Sequence, residues 1–90
     1  MRNIYRFVWD WGRHGRITGV FSATKEDVDW LIGQDVYFGS ALGKHSEVYG
    51  TIKEEHITLL TDDQDFVEKA EQYNLVPTGY DPFDYVEEEE

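Results

Sequence analysis

From Asn3 to Trp11 the chain alternates: Tyr5, Phe7, Trp9 and Trp11 fall on one side, and Ile4, Arg6, Val8 and Asp10 on the other. A two-residue period is that of a β-strand. Gly12-Arg13-His14-Gly15 interrupts it, after which Ile17, Gly19 and Phe21 alternate with Thr18, Val20 and Ser22. Two alternating runs around a short glycine-bounded turn predict an antiparallel hairpin. Thr24-Lys25-Glu26-Asp27 then places a hydroxyl three residues before a carboxylate, the pattern of a helix N-terminus. Val28, Leu31 and Ile32 follow at helical spacing, and Gly33 stands where a left-handed stop is expected, so the spacing predicts a helix over 24–33.

Val36-Tyr37-Phe38 is a brief β-rich run, and periodicity is lost over Gly39-Ser40-Ala41-Leu42-Gly43. Alternation returns from Glu47 to Lys53. After a turn at Glu54-Glu55, His56 to Leu60 reads as the hairpin partner of that strand. Thr61-Asp62-Asp63-Gln64 begins a second helix, with Phe66, Val67, Ala70 and Tyr73 on one face and an end near Asn74; Pro77 and Gly79 break it. The predicted order is β-β-α-β-β-β-α. Hairpins imply a mainly antiparallel sheet with the two short helices over one face, an α+β fold. Residues 1–86 are expected to form a single domain and 87–90 an acidic tail.

Composition sharpens this picture. Ninety residues fit one domain, and aromatic residues make up 16% of them, enough ring area to pack a small core and to remove the signature of intrinsic disorder. Cysteine is absent, which excludes disulfides, thiolate metal sites and cysteine nucleophiles. No apolar run has the length of a spanning helix, and Asp10 interrupts the first apolar stretch, unlike a signal peptide. An intracellular protein without membrane partners is expected.

The net charge of −11 is unevenly spread: six basic side chains face five acidic ones in residues 1–45, whereas only Lys53 and Lys69 face fourteen acids in residues 46–90. Such an excess repels phosphate backbones, so direct nucleic-acid binding is not expected and a basic protein surface is. The carboxylates Glu54, Glu55, Asp62, Asp63, Asp65, Glu68 and Glu71 fall on a turn and the following helix. Held rigidly there, they are the candidate partner-binding set, able to stand in for phosphates in the groove of a nucleic-acid-binding protein. Tyr80, Phe83 and Tyr85 are candidate apolar anchors among them.

The other clusters carry less. Gly43-Lys44-His45-Ser46-Glu47, entered from Gly39, is one residue short of a phosphate loop and has His45 where Ser or Thr is required. Adjacent residues of an extended chain point to opposite faces, so His45, Ser46 and Glu47 form no catalytic relay. His14, His45 and His56 match no metal-ligand spacing. No enzyme activity, metal or cofactor is expected. The alternative reading is sequestration of an anionic nucleotide by the Gly39–Glu47 loop, with Arg13, Arg16, Lys44, His45 and Ser46 as the anion-binding residues.

The stretch VYFGSALGKHSEVYG, with WGRHGRITGVFSAT upstream of it, resembles small proteins of large tailed bacteriophages, over roughly residues 4–60. The resemblance carries no catalytic or ligand residue. What it implies is a setting: a viral protein in the host cytoplasm that inhibits a host nucleic-acid-handling or anti-phage defence protein by acidic DNA mimicry. Monomer and homo-oligomer both remain open.

Overall fold

The fold is described from a computed structural model over residues 1–39 and 47–87. The two alternating runs pair as β1 (Arg2–Asp10) and β2 (Arg16–Thr24), antiparallel and in unbroken register from Arg2 opposite Thr24 to Asp10 opposite Arg16. A 3-10 turn at Gly12–His14 joins them. Gly12 and Gly15 both hold positive φ (62° and 107°), and the Asp10 carboxylate accepts a 2.8 Å hydrogen bond from the Gly12 N–H. These contacts fix the reversal.

Helix α1 (Lys25–Leu31) starts where Thr24 Oγ1 accepts from the Asp27 N–H at 3.0 Å. It ends earlier than the sequence spacing predicted, because Ile32 is extended and the Gly33 N–H turns to Ile52 O at 2.8 Å. β3 (Asp35–Gly39) and β4 (Val48–Thr51) form a separate two-stranded antiparallel sheet. β5 (Ile57–Thr61), α2 (Gln64–Gln72) and β6 (Thr78–Gly79) complete the described strands and α-helices, and a 3-10 turn at Pro82–Tyr85 follows them. The architecture is α+β, mainly antiparallel, with two helices, and the four-stranded sheet runs β5-β1-β2-β6.

Three expectations are corrected. The strand over 47–53 does not pair with 56–60: β4 pairs with β3, β5 pairs with β1, and Glu54–His56 is a 3-10 turn carrying the chain between sheets. Alternation reports faces, not partners, and the exposed residues of β4 and β5 fit either arrangement. Nor do the helices share a face. Val28 and Leu31 of α1 join Tyr5, Phe7, Ile17, Phe21, Val36 and Phe38 in the main core, whereas Val67 and Ala70 of α2 pack on Ile4 from the other side of the sheet. Phe66 of α2 and Tyr73 just past its end lie outside the buried stripe, 53% and 66% exposed, and the helix stops at Gln72, with Asn74 at φ 58°.

The third correction concerns the C-terminal aromatics, which are part of the fold and not free anchors. Tyr80, Phe83 and Tyr85 pack against the main core, Pro82 is buried, and Val86 bridges to Val36. Phe83 meets Phe21 edge-on at 5.5 Å and lies flat on Trp30 at 6.3 Å; Tyr85 lies 4.6 Å from Phe38. Residues 80–86 thus form a strap across the open side of the hairpin. Where the strap crosses β2 the backbones touch: Tyr80 N–H donates to Thr18 O at 3.0 Å, and Gly19 opposes Gly79. Both positions need glycine, since a Cβ on Gly19 would lie 2.0 Å from Tyr80 O and one on Gly79 2.4 Å from Thr18 O.

Candidate functional site

The order β5-β1-β2-β6 leaves β5 as an edge strand. Its Leu59 and Leu60 are 52% and 47% exposed, and the β1–β5 register shifts between Ile4 and Tyr5, so Leu60 falls at the irregularity. Beside it runs an open apolar groove of about 540 Å³, lined by Leu60, Phe66, Leu75 and Val76 over a floor of Ile4, Val20 and Ala70. An exposed apolar edge of this kind is normally covered or broken by charge in a monomer. Here the charge stands around it.

The acidic set divides by position. Glu54 and Glu55 are exposed on the turn before β5, and Asp62, Asp63, Asp65 and Glu68 are exposed after it, at the start of α2. Carboxylates therefore flank both ends of a five-residue strand, about 17 Å apart at the usual rise. Two of the seven have structural duties. Asp63 caps α2, its Oδ1 accepting from the Asp65 and Phe66 N–H groups at 3.1 and 3.5 Å. Glu71 is ion-paired with Arg2 Nε at 3.0 Å and accepts from the Ser22 hydroxyl at 3.1 Å, which ties α2 to the hairpin. The remaining five project freely.

A second concavity, about 1220 Å³, opens on the α2 side of the sheet beyond the helix and wraps round the β1–β5 edge. Arg6, Val8, Asp10, Arg16 and Thr18 line it from the hairpin, and Lys53, Glu55, His56 and Thr58 from the turn and β5. His56 is buried and stacks on Trp9 at 4.2 Å. Its Nδ1 accepts from the Lys53 N–H at 3.0 Å while the His56 backbone N–H donates to Lys53 O at 3.0 Å, so side chain and backbone together lock the turn. Burial holds its pKa below the ordinary 6.5; Glu55 nearby works against this shift and Lys53 adds to it. Trp9 is partly buried between His56 and Trp11, whose ring lies 5.3 Å away, and it also lines this concavity.

Of the residues expected to bind an anion, Arg16 lines this groove, Arg13 is exposed on the hairpin turn outside its lining, and Lys44, His45 and Ser46 lie outside the described residues, as does Gly43. Arg6 and Lys53, which the sequence reading passed over, stand in the groove with Arg16. Their signal was present in part: Arg6 sits on the polar face of β1, opposite Thr58. Among the described residues no group of three His or carboxylate side chains converges as a metal site, and no helix is long and apolar enough to cross a membrane. No protein-family model matches the chain, and neither a curated protein nor a solved structure matches it.

Proposed function

We propose that the chain is a non-enzymatic binding protein that seats a basic protein surface on the β5–α2 face, as an inhibitor of a host nucleic-acid-handling or defence protein. One observation carries the reading: the exposed apolar groove at Leu60, Phe66 and Leu75 lies at an unpaired strand edge that acids flank at both ends. An apolar centre with a charged rim is the anatomy of a protein interface. The apolar residues supply affinity by excluding water, and the rim supplies steering and choice of partner. Glu54, Glu55, Asp62, Asp65 and Glu68 then act as surrogate phosphates toward a groove built to hold nucleic acid. The bacteriophage setting belongs to this proposal on the strength of the GKHSEVYG resemblance.

The test begins with capture of the partner from host lysate at low salt, followed by titration of the purified pair at two ionic strengths. Replacing Asp62, Asp65 and Glu68 by their amides is expected to weaken binding by about tenfold or more and to reduce its salt dependence, while the fold melts as before. Leu60→Glu should weaken binding at both salt concentrations alike. Unchanged affinity in the amide variant would sink the proposal.

A further inference from the structure

The groove beyond α2 lies on the same face of the sheet as the acid-flanked one, but its chemistry is opposite. Acids outnumber bases by 19 to 8 in this chain, so an average cation has carboxylates within easy reach. Arg2 takes Glu71 and Lys25 takes Asp29. Arg6, Arg16 and Lys53, like Arg13 and Lys69, form no ion pair among the described residues, and these three line one concavity.

Strand register explains how this comes about. Asp10 stands directly opposite Arg16 across the β1–β2 ladder, the position from which a carboxylate would ordinarily neutralise it. The Asp10 carboxylate is instead engaged by the Gly12 N–H at 2.8 Å in the hairpin turn. Arg6 has Val20 on one side and Thr58 on the other, neither of them charged. Lys53 enters from the turn, whose backbone is locked by His56. Between the two arginines the floor is Val8, with the hydroxyl of Thr18 opposite it.

Arg6 and Arg16 are set apart by the strand rise from residue 6 to residue 10, about 13 Å, a gap that two extended arginines close from either end. One phosphate is smaller than that interval. A chain of two or three phosphates is also shorter than the interval but extends along it, and with both side chains reaching inward it offers separate oxygens to the two guanidinium forks, to the Lys53 ammonium and to hydroxyls at Thr18 and Thr58. Asp10 also lines the groove and keeps its charge while it accepts from the Gly12 N–H, so it opposes such a ligand from the Arg16 end. Glu55 opposes it from the other end, so three cations face two carboxylates in the groove.

We propose that this groove is a binding site for an oligophosphate, held by Arg6, Arg16 and Lys53 with the Thr18 and Thr58 hydroxyls. Trp9 lines the groove as well, with its ring stacked on His56, so the charged groups recognise the phosphate chain. Free tripolyphosphate and the phosphate chain of a nucleoside triphosphate share this chemistry.

The test is an NMR titration of the full chain, following backbone amides and arginine Nε–H signals, with sodium tripolyphosphate, adenosine triphosphate and adenosine in magnesium-free buffer. Tripolyphosphate is expected to saturate with a dissociation constant at or below about 1 mM and to shift Arg6, Arg16, Thr18 and Thr58 together. Adenosine should shift none of them. Equal affinities for tripolyphosphate and the nucleotide identify the phosphate chain as the whole ligand, and tighter binding of the nucleotide adds a contact from its nucleoside. Arg6→Ala with Arg16→Ala, both exposed positions, should cost about tenfold or more, Lys25→Ala nothing, and Glu55→Gln should tighten binding. Tripolyphosphate that fails to saturate by about 5 mM, or that binds the double variant equally well, overturns the proposal. This site and the β5–α2 face fail separately, since neither Arg6 nor Arg16 lines the latter.

Discussion

Gly19→Ala is the smallest change that tests how the C-terminal strap is held. The added methyl would lie 2.0 Å from the carbonyl oxygen of Tyr80, and contacts under 3.0 Å are essentially never found. Gly19 sits inside the β1–β2 ladder, opposite Phe7, and cannot retreat. The strap must therefore move by about 1 Å or more, which breaks the 3.0 Å bond from Tyr80 N–H to Thr18 O and lifts the rings behind it. Overpacking costs about 1–3 kcal/mol and the lost hydrogen bond about 1 kcal/mol. The sum is roughly 2–4 kcal/mol, or a fall in Tm of roughly 10 °C or more for a domain of this size. Gly33→Ala is the comparison: its φ of +99° strains any side chain, but nothing lies within 4 Å of the new methyl, so it should cost only about 1 kcal/mol. Urea unfolding followed by tryptophan fluorescence measures both. Should Gly19→Ala prove no more harmful than Gly33→Ala, the close crossing of β2 and the strap is not what holds the C-terminal segment.

Two further outcomes follow from the packing. His56 has a folded-state pKa below its unfolded value of 6.5, so its contribution to stability is whole above that value and is lost as pH falls through the folded pKa, where the unfolded chain takes up the proton first; melting curves across this range should show a downward slope that flattens in His56→Gln. Phe83→Ala removes a half-buried ring from between Phe21 and Trp30, at a cost of about 2–3 kcal/mol, below the fully buried range. The Trp30 emission should move to longer wavelength, and an unchanged spectrum would contradict the stacking.

The strongly periodic segments were readable because their neighbours in sequence are also their neighbours in space. Tyr5, Phe7, Ile17 and Phe21 mark one sheet face by alternation alone, and Thr24 announces α1 through a bond to a residue three positions away. Pairing between distant strands has no such local mark. Val48 of β4 and Ile52 just after it report a buried side, yet nothing in them selects Asp35–Gly39 over Ile57–Thr61 as partner. The Ile4 side of β1 was obscured by mixed use: Ile4 is buried under α2, while Arg6 and Asp10 on the same face are exposed. A polar face half covered by a short helix reads in sequence as a solvent face throughout.

The site was legible in the same uneven way. A run of acids is visible to counting, and the named carboxylates are exposed on the turn before β5 and along the start of α2. Leu59-Leu60 was the sharper clue, since two adjacent leucines place one on each side of any strand, and only an edge leaves both partly bare. The C-terminal aromatics misled because 80, 83 and 85 follow no single period. A 3-10 turn at Pro82–Tyr85 brings Phe83 and Tyr85 onto one core.

The strap also sets an order of events for a chain made from its N-terminus. Phe21 and Phe38 are synthesised long before Phe83 and Tyr85, the rings that cover them. Until residue 86 has left the ribosome the nascent protein carries a sheet with an uncovered aromatic side, and contacts so distant in sequence close late. A product clipped anywhere before the strap would expose that side permanently and be a ready substrate for chaperones and proteases. Survival of the protein in a cell is thereby tied to completion of residues 80–86.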